Sequence, residues 1–134
     1  MADIRNFVRA QNGEAIINEG SKEMSREQIV LVANPAGYPP NAMLAKITGG
    51  ADVGKWGRWD PAGANGLNTC RGYLFASRKA STGTSRAVAL VRDCELNGKK
   101  IDWNGATAPQ IATAIAALVS IDTTNNYGGV RVRY

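Results

Sequence analysis

The sequence predicts a mainly β domain with one α-helix, of the α+β class, and three features predict it. Short β-branched or alternating apolar runs are separated by clusters of Gly, Pro, Asn and Asp. Only between Thr107 and Val119 do apolar residues recur convincingly at helical spacing. The first 26 residues hold no apolar run long enough to bury itself, so they read as an arm ahead of the domain. The 134 residues fit one domain. The expected division is an arm over 1–26 and a β-rich body over 27–134, with its helix at about 107–119.

Within the arm, Phe7-Val8 and Ala15-Ile16-Ile17 are separated by Gln11-Asn12-Gly13 and followed by Glu19-Gly20-Ser21. Two readings stand side by side: a segment that orders only against a partner, or a terminal strand docked on its own domain. Gln28 to Ala33 is a β-branched run and predicts the first strand of the body. Asn34 to Pro40 carries three prolines and a glycine and must be a rigid loop. Met43 to Thr48 alternates as a second strand and stops at Gly49-Gly50. Trp56 and Trp59 lie three apart, so a plain strand sends them to opposite faces unless Gly57 introduces a bulge. Asp60 to Gly66 is a long turn, with Asp60-Pro61 as its initiating pair.

Arg71 to Ser77 predicts another strand, and Ser81 to Ser85 a polar connection. Arg86 to Arg92, with Val88, Leu90 and interleaved alanines, predicts a strand buried on both faces, which Asp93 to Leu96 would extend. Asn97-Gly98 is the best short hairpin signal, with Ile101-Asp102-Trp103 as its return strand. Thr107 to Gln110 has a capping-box pattern with Pro in the first turn. Ile111, Ile115, Leu118 and Val119 then form the apolar stripe. Val130 to Arg133 alternates as a last strand with its arginines outward.

Composition excludes several kinds of chemistry. The chain has no histidine, which removes the commonest general base and transition-metal ligand. No glycine-rich phosphate loop is present. Cys70 and Cys94 are too far apart for a zinc clip and have no second pair; they read as two buried thiols, with a disulfide as the alternative. Met1 to Arg9 holds no apolar core of a signal peptide, and no apolar run approaches the ~20 residues that span a bilayer. The net charge of +5 comes from residues beyond 49, but the cations are scattered, as on a solvated surface. Asp60 fits a turn role and Asp93 a local ion pair better than catalysis. Trp56, Trp59 and Trp103 suit a core or subunit interface; with the basic excess, base stacking or sugar binding are the alternatives.

A series of motifs then carries a resemblance. In order they are Glu14-Ala15-Ile16-Ile17, Ser25-Arg26-Glu27-Gln28, Met43-Leu44-Ala45-Lys46-Ile47-Thr48 and Lys55-Trp56. Next come Trp59-Asp60-Pro61-Ala62-Gly63-Ala64-Asn65-Gly66 and Gly72-Tyr73-Leu74-Phe75. Ala87 to Leu96, Ile101-Asp102-Trp103, the alanine-rich Gln110 to Leu118 and the basic tail Val130 to Arg133 complete the series. Over roughly residues 13–133 this resembles the head decoration family typified by protein D of phage lambda. One departure is the insertion Asp122 to Gly129, where the family runs almost directly from helix to last strand.

The resemblance implies a β-clip or β-tulip-like decoration fold with an extended N-terminal arm. It implies a non-enzymatic homotrimer without cofactors, bound to the major capsid protein at three-fold and quasi-three-fold positions of the expanded head. There it would hold the shell against internal DNA pressure, on the outer capsid surface of the virion, after synthesis in the host cytoplasm. Neither a membrane nor direct nucleic-acid contact is expected. Strand addition is the natural docking mode for such an arm, which points to Glu14, Ala15, Ile16, Ile17, Asn18 and Glu19 as the capsid-binding residues. Tyr38, Pro39, Pro40, Trp56 and Trp59 are the expected trimer contacts.

Overall fold

The computed structural model describes residues 10–20, 25–119 and 129–134. The remainder of the predicted arm, residues 1–9 and 21–24, and residues 122–128 of the insertion lie outside the described residues. In chain order the elements are β1 (Ile16–Glu19), β2 (Arg26–Leu31), β3 (Met43–Lys46), β4 (Trp56–Arg58), β5 (Gly72–Leu74), β6 (Ser85–Leu90), β7 (Cys94–Asn97), α1 (Ala108–Val119) and β8 (Val130–Arg133). The protein is therefore mainly β with one helix among the described residues, as its sequence predicts.

Five strands close into a small barrel in the order β2-β4-β3-β5-β6. β2 and β6 run antiparallel over six residue pairs, from Arg26–Leu90 to Leu31–Ser85. β4 completes the ring by pairing with β3 and, through Leu31–Trp56, with β2. The remaining strands form a separate sheet in the order β1-β7-β8.

Strand alternation divides the apolar residues between two cores. Ile29, Leu31, Leu44, Trp56, Leu74, Ala87, Ala89 and Val91 fill the barrel. Met43, Ala45, Tyr73 and Leu90 come from the opposite faces of the same strands and enter a second core. That core also takes Cys94 and Leu96 from β7, Val130 from β8, and Ala114 and Leu118 from α1. A β6 buried on both faces follows directly, since each face meets a different core.

The sequence expectations fail at three places. Asp93 adopts a φ of 49°, which no strand can continue through. Cys94 to Leu96 therefore starts a new strand in the other sheet instead of extending β6. Asn97-Gly98 does turn, with the Lys100 N–H donating to the Asn97 carbonyl at 3.0 Å. However, Ile101 to Trp103 is no return strand: both flanks of β7 are taken by β1 and β8, and Asp102 makes only an isolated bridge to Ala42. The helix buries Ala114 and Leu118, while Ile111 and Ile115 are half-buried and Val119 is 54% exposed. Its contact line is thus centred on a small residue that lets the helix approach closely.

Other local features are as the residues demand. Gln110 Oε1 accepts the Thr107 N–H at 2.8 Å, which is one half of the capping box. Asp60 Oδ1 accepts the Ala62 N–H at 3.0 Å and sets its turn. β3 and β4 pair in regular register with no bulge at Gly57, so Trp56 enters the barrel and Trp59 the second core. Gly37, at φ 73°, lets the proline-rich loop lie against the Arg78–Ala80 backbone, where a Cβ would fall 2.8 Å from the Arg78 carbonyl.

Candidate functional site

Gln11 to Glu14 forms a tight turn, and the chain then enters β1. Ala15 is fully buried in the second core, and its carbonyl accepts the Asn97 N–H at 2.7 Å. Ile16 pairs with Leu96 and packs on the same core. The register then shifts, so that Asn18 faces Glu95 and Glu19 faces Cys94. The shift leaves Ile17 52% exposed beside an exposed Asn18. Of the two readings of Glu14 to Glu19, the described residues show the strand docked on its own domain.

Two carboxylates fasten that strand. Glu19 is 8% exposed and accepts from Ser25 Oγ at 2.6 Å and from Arg26 Nε and Nη2 at 3.1 and 2.8 Å. Arg26 also lies over the Phe75 ring, 4.2 Å from its centroid. At the other end Glu14 accepts the Gln11 N–H at 3.1 Å and meets Lys100 Nζ at 3.1 Å. The Gln11 bond, then Lys100, holds its carboxyl below the usual glutamate range. Sequence reasoning missed both fasteners. Arg26 was visible only as part of the lead into β2, and nothing local joins Glu14 to Lys100.

β1 is an outer strand of its sheet. Its inner edge meets β7, and no described strand pairs with its outer edge. Such an edge offers backbone N–H and C=O groups to an incoming strand. The six residues Glu14, Ala15, Ile16, Ile17, Asn18 and Glu19 thus lie together, with different tasks. Ala15, Ile16 and Glu19 anchor the strand, while Ile17 and Asn18 face outward.

The expected trimer contacts are not brought together as a surface. Tyr38, Trp56 and Trp59 are only 4%, 6% and 2% exposed inside their own subunit. Tyr38 Oη donates to the Val32 carbonyl at 2.8 Å, and burial pushes its pKa up to about 12. Trp59 donates to the Asn68 carbonyl at 3.1 Å and meets Trp103 edge-on, with ring centroids 6.1 Å apart. A domain this small needs these aromatics to fill two cores, which withdraws them from the surface. Only Pro39 and Pro40 of the five are half-exposed. With Trp103 half-buried and donating to the Gly98 carbonyl at 3.1 Å, the indoles form no open stacking platform.

The remaining reactive side chains are set inward. Cys70 and Cys94 are free, buried thiols, each pushed up to about 12 by burial. The ion pair expected at Asp93 falls instead to its neighbour, Arg92 meeting Glu27 at 3.1 Å. Among the described residues no group of three or more His, Cys, Asp or Glu side chains converges to hold a metal, and no helix is long and apolar enough to cross a membrane.

Compared with known families, residues 9–122 match that of the bacteriophage lambda head decoration protein D. The match stops at the start of the 122–129 insertion, short of the 13–133 span that the motifs suggest, and leaves β8 outside. No curated protein and no solved structure matches the chain.

Proposed function

Since a match of that length makes the chain a member of the bacteriophage lambda head decoration protein D family, a structural component of the phage capsid, we propose that it cements the expanded head as a homotrimer. It sits at three-fold and quasi-three-fold positions and resists the outward pressure of packaged DNA. Its partner there is the major capsid protein, and its docking element is β1 within an N-terminal arm over residues 1–26.

The observation that carries this reading is the preformed outer edge of β1, with Ile17 exposed beside it. A capsid strand added there gains backbone bonds without first ordering residues 14–19, and the side chain of Ile17 supplies an apolar contact. Three such edges in one trimer multiply a modest contact into tight attachment, provided all three reach the shell. The test mixes purified protein with undecorated expanded heads. Ile17→Asp should keep its thermal unfolding temperature and lose retention on the heads. Undiminished retention would exclude this edge. Sedimentation checks the trimer, and a clean monomer at micromolar concentration would overturn it.

A further inference from the structure

One mouth of the barrel carries two cations, Lys46 and Arg71, that have no ion-pair partner among the described residues. Leu44 points into the barrel, so Lys46, two residues on along β3, stands on the same side at the barrel's end. Glu27 stands there by the same alternation from Ile29 and Leu31 on β2. Trp56 and Val91 form the floor, only 6% and 3% exposed. Arg71 is placed at the rim by its N–H, which donates to the Leu44 carbonyl at 2.8 Å. Arg92 follows Val91 and meets Glu27 at 3.1 Å.

These residues enclose an opening of about 170 Å³. Among the described residues three cations and one carboxylate line it, and that carboxylate is engaged by Arg92. Among the described residues Lys46 and Arg71, both exposed, have no ion-pair partner. Barrel mouths are favoured ligand positions because their walls are rigid and their floor is apolar. A carboxylate between a lysine and an arginine there would make charge-assisted hydrogen bonds over a surface that excludes water.

We propose that this mouth receives an acidic side chain of the capsid protein, as a second contact beside the β1 edge. The inference rests on the head-binding reading above. The mouth is small, about 170 Å³, and half-open, which suits a single carboxylate. A nucleic acid would call for a row of cations following its phosphates.

The test compares the full chain with Lys46→Glu/Arg71→Glu for binding to undecorated expanded heads, at about 50 mM and about 500 mM salt. At low salt the variant should bind roughly tenfold or more weakly, with an unchanged unfolding transition, and the gap should narrow at high salt. Equal binding at low salt would overturn the inference while leaving the head-binding reading intact. If the unaltered chain fails to bind heads, the head-binding reading falls first and the mouth contact with it. Wild-type retention on DNA that the variant loses, with head binding unchanged, would assign the mouth to nucleic acid and also overturn the inference. Should the double reversal not fold, Lys46→Gln/Arg71→Gln removes both charges with a smaller change and is judged by the same criteria.

Discussion

Replacing Glu19 by alanine should loosen β1 from the domain while leaving the barrel intact. Among the described residues the Glu19 carboxylate accepts hydrogen bonds from Ser25 and, twice, from Arg26. Bonds to a charged group contribute about 1.5–3 kcal/mol each. The Arg26 side chain is 26% exposed, so water compensates part of its loss. Ser25 is fully buried and would keep a hydroxyl without its acceptor. The net effect on strand docking is then about 2–3 kcal/mol, which is roughly a 30- to 150-fold rise in the open population.

Hydrogen exchange reads this directly at two amides. Asn97 donates to the Ala15 carbonyl, and Gly20 donates to the Asp93 carbonyl at 2.9 Å. Both should exchange faster by that factor, because exchange of such amides follows local opening. The Val32 amide, bonded to the Trp56 carbonyl of the barrel at 2.9 Å, should be unaffected. Unchanged protection at Asn97 and Gly20 would refute the role of Glu19 as a fastener. An equal rise at all three amides would mean that the substitution unfolds the whole domain, and would refute a local latch.

Further outcomes follow from the same structure. Cys70 and Cys94, with pKa values pushed up to about 12, should resist a thiol reagent at pH 8 until denaturant is added; rapid labelling of either native thiol would contradict their burial. Leu118→Ala removes a fully buried side chain and should cost about 2–5 kcal/mol by denaturant titration. A loss below ~1 kcal/mol would mean that α1 is not docked as described. The Glu14 carboxyl is depressed in the folded state, so its contribution is complete above the ordinary value of 4.5 and disappears as pH falls through the lowered one. The stability difference between the wild type and Glu14→Gln should accordingly narrow on acidification below 4.5, and a gap that widens would reverse the assignment.

Short-range pattern was legible wherever the chain decides its own conformation. The β-branched run after Arg26, the alternation at Met43 and the Thr107–Gln110 cap predicted elements that the fold contains. The order of the motifs was enough to suggest the family. The three-residue spacing of Trp56 and Trp59 correctly separated their faces. What stayed hidden was the left-handed turn at Asp93, because an apolar run continues on both sides of it and nothing local marks the change of sheet. The Asn97-Gly98 hairpin misled for a related reason. The turn forms, but the strand that pairs with β7 is chosen by competition with distant segments.

The sequence alone determined the β-rich class, the helix and the absence of histidine chemistry. Alternation told which side chains share a face, but not which faces meet. Barrel closure and the stacking of a second sheet decided that Tyr38, Trp56 and Trp59 are buried within the cores of their own subunit. The same packing fastened Glu14 and Glu19 to partners outside their own strand and gathered Lys46, Arg71 and Arg92 around one opening. Those groupings join residues far apart in the chain, and such contacts exist only once the backbone has closed around its two cores.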